Sequence, residues 1–246
     1  MKTALVTGAT SGIGRAAAEG LSRAGWWVMV GGRDEQRARE TVAALDGPGA
    51  HVTVDLAADD APHRLIQATL EQGGRLDALV NNAALYRQGT VDELGDADLD
   101  ALLAVNLRAA IRLSGLAVSH MRAGGGGVIV NVSSEAGLVA VPGQVAYNVT
   151  KAGLVMLTRC IAVDHAGDGV RAVSVCPGTT RTPLVDAAIE RAADPAAHER
   201  RLAETRPARR LGTPGEIAAA IVFAASEEAS FMTGTEIVVD GGYTAT

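Results

Sequence analysis

Short apolar runs recur along the chain, and longer stretches whose apolar residues repeat with helical spacing separate them. Runs that are apolar on both faces are typical of strands in a parallel sheet covered by helices on each side. Seven such runs predict an α/β fold with a doubly wound, parallel, seven-stranded sheet. The predicted strands are Thr3–Val6, Val28–Val30, His51–Val54, Ala78–Val80, Val128–Val132, Ala172–Val175 and Glu236–Val239.

No repeat or linker divides the chain, so we expect residues 1–246 to form a single domain. Four consecutive glycines at 124–127 break the pattern between a helix and the fifth strand. The segment 181–206 is rich in Arg, Glu, Asp and Ala and is interrupted by Pro183 and Pro195. We predict that it is an exposed helical insertion that closes over a binding site. A pair of solvated surface helices without that role is the alternative.

A glycine-rich turn follows the first predicted strand directly and precedes a helical pattern. Gly8 permits a tight turn, Gly12 allows the backbone to approach a pyrophosphate, and Gly14 lets the helix pack closely on the strand. The free N–H groups at the start of that helix favour phosphate. In this position the turn predicts a dinucleotide-binding domain of the Rossmann type, and an ordinary glycine-rich turn is the alternative.

Composition narrows the class of partner. The net charge of −6 and the pI near 5.4 argue against a nucleic-acid partner. Aromatic residues are only 3% of the chain, so the core must consist mainly of Ala, Val, Leu and Ile. The two cysteines, Cys160 and Cys176, occur without a secretory segment and predict reduced thiols in a cytoplasmic protein. We expect no stretch that approaches a membrane span.

Lysine is rare in this chain, because only Lys2 and Lys151 among its 22 Lys and Arg residues are lysine. Lys151 follows Tyr147 by four residues, which places both on one face of a helix. A compact ammonium beside a phenol favours the ionised phenol, so we expect the pKa of Tyr147 to fall below its ordinary value of about 10. The pair predicts proton transfer near neutral pH, and a chance pair on a solvated helix face is the alternative.

The order of motifs along nearly the whole chain resembles the short-chain dehydrogenase/reductase family in its short form. The spacing of Gly8, Gly12 and Gly14 matches that form and not the longer branch of epimerases and dehydratases. Ser134 lies 13 residues before Tyr147, which is the family's spacing. The other similar segments are Asn81–Ala84 (with Ala84 where the family has glycine), Val105–Leu107, Asn131–Ser134, Pro177–Thr182 and Thr233–Gly242.

The resemblance implies a catalytic set of Asn106, Ser134, Tyr147 and Lys151. Tyr147 would donate a proton in reduction and accept it in oxidation, while Lys151 would lower its pKa and hold the nicotinamide ribose. Ser134 would bind the carbonyl oxygen, and its neighbour Ser133 should point to the opposite face of the strand. Asn106 would hold a water that links Lys151 to solvent. A helix asparagine bonded only to backbone is the alternative.

The resemblance also implies the residues that contact the cofactor, and it implies no metal ligands. Asp55 would meet the adenine amino group, and a plain helix cap or turn residue is the alternative. Thr182 would touch the nicotinamide carboxamide, with Thr180 a weaker candidate. The full set is Gly8, Ser11, Gly12, Ile13, Gly14, Arg33, Asp55, Leu56, Asn82, Ala83, Tyr147, Lys151, Pro177, Gly178, Thr180 and Thr182.

The end of the second strand bears on the choice between NADP(H) and NAD(H). An acidic side chain at the strand tip would bind both ribose hydroxyls and select NAD. We place Gly32 at that tip, and Arg33 after it could pair with a 2′-phosphate, which favours NADP(H). NAD(H) stays open, because Ser11 is not basic and because Asp34 would supply the acid if the register differed by two residues. A solvated surface role for Arg33 is also open.

Apolar residues dominate the loops expected around the substrate, which favours a partly hydrophobic ketone or secondary alcohol. They are Leu85, Leu138, Val139, Val145 and Leu184, with Tyr86 and Arg87 near the mouth. The resemblance is greatest to the 3-oxoacyl carrier-protein reductase type, although many enzymes with other substrates share that pattern. An NAD-dependent alcohol, sugar or steroid dehydrogenase is the alternative.

Members of the family usually assemble, so the resemblance implies a homotetramer or homodimer. The contacts would come from the helices that bear Asn106 and Tyr147 and from the C-terminal strand. The sequence disfavours two other classes of protein. A non-catalytic nucleotide sensor has no need of an intact Ser134, Tyr147 and Lys151. An S-adenosylmethionine methyltransferase is disfavoured by the Tyr-Lys pair and by the Thr-Gly start of the glycine turn.

Overall fold

Seven parallel strands form one sheet, and each overlaps one of the seven predicted runs, so the predicted α/β sheet is confirmed. The computed structural model describes residues 1–245. The strands are β1 (Thr3–Thr7), β2 (Trp27–Gly32), β3 (Gly49–Thr53), β4 (Ala78–Asn81), β5 (Gly127–Val132), β6 (Val170–Pro177) and β7 (Thr235–Val239). Their order across the sheet is β3-β2-β1-β4-β5-β6-β7.

Helices cover both faces of the sheet. They are α1 (Gly12–Arg23), α2 (Glu35–Ala43), α3 (Ala61–Gly73), α4 (Asp96–Leu102), α5 (Ala109–Ala123), α6 (Val145–His165), α7 (Pro183–Glu190), α8 (Pro195–Glu204) and α9 (Pro214–Ala225). Because side chains alternate along a strand, Ala4 and Val6 of β1 face the layer of α1, α2 and α9, while Leu5 faces the layer of α3, α5 and α6. Both faces are therefore core, as the apolar runs predicted.

Small residues let the helices approach one another closely. A Cβ placed on Gly20 of α1 would lie 2.9 Å from Val222 Cγ2 of α9, so that helix pair packs around a glycine. Helix α9 begins at a capping box, in which Thr213 and Glu216 each accept a backbone N–H of the other. The interior consists mainly of Ala, Val, Leu and Ile, as the low aromatic content of the chain predicted.

One continuous helical stretch, Asp96–Ala123, contains an 18-residue window with a mean hydropathy of 1.5, which is long and apolar enough to cross a membrane. The expectation that no stretch approaches a membrane span is therefore wrong for length and hydropathy. The stretch consists of α4, a π-helical turn at Leu103–Arg108 and α5. Helix α5 packs on α3 and on strands β4, β5 and β6, so its apolar side chains belong to the core layer.

The segment 181–206 forms two short helices, α7 and α8, after β6. Arg181 joins them, because its guanidinium bonds Asp186 in α7 and Glu199 in α8. Asp194 caps α8 by accepting the backbone N–H of Ala197 at 2.9 Å. The helical character expected of this segment is therefore present.

The chain reverses its winding between β1 and β4, which are neighbours in the sheet. In an open parallel sheet, ligands bind outside the carboxyl ends of the strands at such a switch point. Every predicted catalytic residue except Asn106, and most predicted cofactor residues, follow the carboxyl end of β1, β4, β5 or β6 in sequence. The fold therefore gathers them at one edge.

Candidate active site

Three glycines shape the turn between β1 and α1. Gly8 and Gly12 have φ angles of +64° and +52°, a region that favours glycine. A Cβ on Gly14 would lie 2.3 Å from the carbonyl oxygen of Gly8, so helix and turn could not approach as they do. Helix α1 begins at Gly12, and Ser11 precedes it without capping it through its side chain. Ile13 lies in the first turn, next to the free N–H groups of the helix start.

Two neighbouring segments close around this turn. A Cβ on Gly8 would lie 2.8 Å from Ala83 Cα, and a Cβ on Gly12 would lie 3.1 Å from Thr182 Cγ2. The turn thus meets the segment after β4 on one side and the segment after β6 on the other. The structure brings these three groups of predicted cofactor residues together.

The side chain of Asn82 braces the glycine turn. Its amide nitrogen donates to the carbonyl oxygens of Thr7 and Gly8, at 2.9 and 3.2 Å. The hydroxyl of Thr7 accepts the backbone N–H groups of Asn82 and Ala83 in return. Sequence reasoning placed Asn82 at the cofactor but missed this bracing role, for which its position one residue beyond a buried strand was the available signal.

Tyr147, Lys151 and Ser134 meet beside the carboxyl end of β5. Tyr147 and Lys151 lie one turn apart on α6, and the Lys151 Nζ is 5.6 Å from the centre of the Tyr147 ring. The Ser134 side chain lies close enough to the Tyr147 hydroxyl to lower the pKa of that phenol. The Ser133 hydroxyl points elsewhere and donates to the backbone carbonyl of Lys151 at 2.7 Å. The two serines therefore serve different partners, as strand alternation indicated.

Burial dominates the ionisation of this pair. It raises the pKa of Tyr147 to about 12, and the nearby Ser134 side chain offsets part of the rise. It lowers the pKa of Lys151 to about 8. The expected fall in the pKa of Tyr147 is therefore wrong. The ammonium donates to the carbonyl oxygen of Val132 at 2.8 Å and not to the phenol, so removal from water outweighs its attraction.

Asn106 lies in the π-helical turn between α4 and α5 and is 1% exposed. Its side chain exchanges two hydrogen bonds with the backbone of Leu85, accepting at 2.7 Å and donating at 2.9 Å. It also donates to the hydroxyl of Thr150, which itself donates to the carbonyl oxygen of Tyr147. Single π turns in helices frequently occur at functional sites. Asn106 thus connects the loop after β4 to α6.

The end of β2 has the register that sequence reasoning assigned. Gly32 is the last residue of the strand, and a Cβ there would lie 2.3 Å from Thr10 Cγ2 of the glycine turn. Arg33 follows and is exposed. The carboxylate of Asp34 caps α2 by accepting the backbone N–H of Arg37 at 3.0 Å. Asp34 therefore has a structural partner, and among the described residues the tip of the strand is occupied by Gly32 and not by an acidic residue.

The remaining predicted cofactor residues lie beyond β3 and β6. Asp55 is exposed and accepts the backbone N–H of Ala57 at 3.0 Å, which is the geometry of the turn alternative. Leu56 lines a small cavity that Ala83 and Asn106 also line. Pro177 ends β6. The other three are held locally: Gly178 N–H donates to Val239, the Thr180 hydroxyl donates to Gly178, and Thr182 caps α7.

Sequence reasoning missed a buried amide network behind the site. Asn81 of β4 donates to the side-chain oxygen of Asn131 of β5 at 2.9 Å, and Asn131 donates to the hydroxyl of Thr158 at 2.8 Å. Asn81 also donates to Ser114. Two asparagines inside apolar strands were the signal, because buried polar groups need partners.

Two further contacts beside the site were also missed. Tyr86 packs against Tyr147 edge-on, with ring centres 5.3 Å apart. Glu135, the residue after Ser134, forms a buried ion pair with Arg206. No spacing or motif connects either pair, because each forms between segments that are distant in sequence.

Residues 8–244 match the family model described as "Enoyl-(Acyl carrier protein) reductase". An oxidoreductase from Thermotoga maritima described as uncharacterized is 42% identical, over 99% of this chain and 98% of that protein. The 3-oxoacyl-acyl-carrier-protein reductase of the same organism is 34% identical, over 98% and 97%. A solved structure titled "short chain dehydrogenase/reductase family protein" has a TM-score of 0.90 and 38% identity, and it covers 100% of this chain and 98% of that one.

The chain therefore belongs to the short-chain dehydrogenase/reductase family. It is an NAD(P)-dependent oxidoreductase with a Rossmann-type sheet. The site has the features that such a cofactor needs. The glycine turn presents backbone where a Cβ would block close approach, and the buried ammonium of Lys151 makes one of the three hydrogen bonds it can donate. Among residues 1–245, no group of three or more His, Cys, Asp or Glu side chains is arranged to hold a metal ion.

Proposed function

We propose that this protein is an NADP(H)-dependent reductase that interconverts a ketone and a secondary alcohol, resembling a 3-oxoacyl thioester reductase. The observation that carries the proposal is the arrangement of Ser134, Tyr147 and Lys151. A serine side chain lies beside a phenol hydroxyl, and a buried ammonium lies one helical turn away, 5.6 Å from the centre of the phenol ring. The reductase from Thermotoga maritima supports this class of substrate.

The side chains of the site would act as follows. When bound, the nicotinamide supplies the hydride or accepts it. Ser134 donates a hydrogen bond to the substrate carbonyl oxygen and holds it near the phenol. Tyr147 then donates its proton to that oxygen as negative charge develops there. Because burial keeps the pKa of Tyr147 near 12, the phenol carries its proton at neutral pH and is ready to act as an acid.

Lys151 would serve the same step through its charge. Its pKa of about 8 leaves most of the ammonium protonated at pH 7. The charge stabilises the phenolate that Tyr147 becomes after it gives up its proton. The two N–H groups that do not bond Val132 would hold the ribose hydroxyls. Asn106 would place a water beside Lys151 from the π turn, through which the proton is replaced.

Substitution of Tyr147 tests the mechanism. Tyr147→Phe removes the hydroxyl and keeps the ring against Tyr86. We expect turnover to fall by at least 10²-fold, the usual contribution of a positioned acid, while cofactor affinity measured by nicotinamide fluorescence stays within about twofold. Ser119→Ala, which removes an exposed hydroxyl that donates to the backbone carbonyl of Gly115 in α5, is the control. Unchanged turnover in Tyr147→Phe would refute the proposed mechanism.

The end of β2 supports NADP(H) over NAD(H). An acidic side chain in place of Gly32 would collide with Thr10, and the carboxylate of Asp34 already caps α2. Arg33 is exposed beside the glycine turn, where a guanidinium can bind a phosphate in a bidentate manner. NAD(H) remains the alternative outcome of the test.

Titration with NADPH and with NADH tests this choice. We expect NADPH to bind more tightly, and Arg33→Ala to weaken NADPH binding by about 10- to 100-fold, as loss of a charge-assisted pair does, with little change for NADH. Arg39→Ala on the exposed face of α2 is the control, because Arg39 pairs with Glu35. Equal affinities for the two cofactors, or tighter NADH binding, would overturn the assignment.

The apolar side chains near the site support a partly hydrophobic substrate. Leu138, Val139 and Leu184 are exposed by 36%, 38% and 60%, so they present apolar surface at the loops after β5 and β6. Segment 181–206, with α7 and α8, would close over that substrate. A panel of 3-oxoacyl thioesters, simple ketones and polyols tests the class. Activity confined to polyols would favour the sugar dehydrogenase alternative.

We also propose a homotetramer or homodimer in the cytoplasm. Val149, Met156 and Val163 recur every seventh residue along α6 and are exposed by 57%, 54% and 84%. Such an apolar stripe suits contact with a second copy. Ile111 of α5 is also exposed, by 48%. Light scattering tests the assembly, and a single species of 25.1 kDa would contradict it.

A further inference from the structure

A buried ion pair lies directly beside the proposed catalytic serine. The carboxylate of Glu135 accepts a hydrogen bond from Arg206 Nη2 at 2.5 Å, and their side chains are only 8% and 4% exposed. Glu135 follows Ser134 in the loop after β5, whereas Arg206 lies two residues beyond α8. The pair therefore ties the end of segment 181–206 to the loop that carries Ser134.

Arg206 also reaches the segment after β6. Its guanidinium donates to the hydroxyl of Thr179, and it donates to the carbonyl oxygen of Leu202 at 2.6 Å. The ring of Tyr243 lies 5.1 Å from the guanidinium carbon. One side chain thus contacts the ends of β5 and β6, the end of α8 and the C-terminal turn.

Glu135 also packs against Gly178 in this segment. A Cβ on Gly178 would lie 2.8 Å from Glu135 Oε2 and 2.7 Å from Asp240 Cα. The glycine therefore has the Glu135 carboxylate and the backbone of Asp240 close to it where a side chain would be. Gly178 and Thr180 are predicted cofactor contacts, so Glu135 lies against the backbone on which they depend.

Burial of the Glu135–Arg206 ion pair carries a large desolvation cost. Glu135 Oε2 and Arg206 Nε have no hydrogen-bond partner among the described residues. Burial raises the pKa of Glu135 to about 7, Arg206 opposes that rise, and Asp240 adds to it. Apolar residues of similar volume often match or exceed the stability of such a pair. Stability alone does not explain a charged pair at this place.

We propose that Glu135 and Arg206 are positioning residues, which together hold Ser134 and the backbone of Gly178–Thr180 in register with Tyr147 and anchor segment 181–206 over the site. The inference rests on the proposed reductase function. It requires that loss of the pair lower kcat even in a variant whose fold is fully stable. A misplacement of about 1 Å at a reacting centre can lower the rate by about 10²-fold.

Apolar replacement of both residues distinguishes an effect on the position of the catalytic groups from an effect on the stability of the fold. Glu135→Leu alone leaves the Arg206 charge buried without its partner, and Arg206→Met alone leaves the Glu135 carboxyl group buried without its donor. We expect both to lower the melting temperature and kcat. The double variant Glu135→Leu/Arg206→Met has no such charge, and we expect it to melt within a few degrees of the wild type. Its kcat should stay roughly 10- to 100-fold lower than that of the wild type. A double variant that regains wild-type kcat would overturn the proposal.

Asp77→Asn is the matched control. Asp77 pairs with Arg75 at 2.6 Å and accepts the backbone N–H of Thr3, at the amino ends of the strands and away from the site. We expect this variant to lose stability and keep kcat, and an equal loss of kcat would also overturn the positioning role. A wild type without turnover in either cofactor would instead refute the proposed function and this inference with it. If the wild type is active and the double variant is equally active, the positioning role is refuted while the proposed reductase function stands.

Discussion

Lys151 is a proposed catalytic residue whose burial lowers the stability of the folded protein. Its replacement by methionine tests both its catalytic role and its effect on the free energy of unfolding. The side chain is 2% exposed, and its ammonium makes one hydrogen bond, to the carbonyl oxygen of Val132. Lys151→Met keeps a side chain of similar length and removes its charge. We expect the variant to be inactive and, at neutral pH and without cofactor, more stable than the wild type.

The magnitude follows from the pKa of Lys151, which burial lowers from 10.5 to about 8. The lysine therefore binds its proton less tightly in the folded chain than in the unfolded chain. This difference lowers the free energy of unfolding at pH values below 10.5, and it does so in full below about pH 8. The fall is worth about 3 kcal/mol of native stability. Because Lys151→Met also loses the hydrogen bond to Val132, which contributes about 1 kcal/mol, the net gain in the free energy of unfolding is about 2 kcal/mol. For a chain of this length, the gain raises the melting temperature by about 4–8 °C.

Thermal melting at pH 7 and pH 9.5 tests the argument. Since the folded lysine loses its proton above pH 8, the wild type should recover stability between pH 8 and 10.5, and the difference between the two proteins should narrow at pH 9.5. Lys2→Met is the control, because Lys2 is exposed and pairs with Glu227, and its effect should be within about 1 kcal/mol. A lower melting temperature for Lys151→Met at pH 7, or a difference independent of pH, would refute the reasoning.

Three other substitutions test the scaffold of the site. Gly14→Ala puts a Cβ 2.3 Å from the amide nitrogen of Asn82, so we expect a loss of about 1–3 kcal/mol in chemical denaturation and weaker NADPH binding; normal binding would contradict the packing argument. Asn131→Ala leaves the buried amide of Asn81 without its acceptor and should cost about 1–3 kcal/mol, and an unchanged unfolding midpoint would count against the network. Thr7→Val removes three hydrogen bonds at constant volume, and we expect a similar loss of stability together with weaker NADPH binding.

Local pattern was sufficient for the elements of the fold. The inner strands were visible because a parallel strand covered on both faces must be apolar throughout, and Thr3–Thr7 is buried at every position. The glycine turn was visible because φ angles of +64° and +52° at Gly8 and Gly12 exclude most other residues. The shared face of Tyr147 and Lys151 follows from helical geometry alone. These are properties of short segments, which the sequence determines by itself.

Tertiary packing decided what those residues meet. The sequence placed an ammonium near a phenol, but only the docking of α6 on the sheet brings Lys151 to the carbonyl oxygen of Val132 and buries it. Burial reverses the expected direction of the pKa shift at Tyr147, because desolvation depends on atoms from every surrounding segment. Arg206 meets Glu135 across 71 positions for the same reason. Spacing predicts which residues share an element, whereas contacts between elements and their electrostatic consequences exist only in the folded chain.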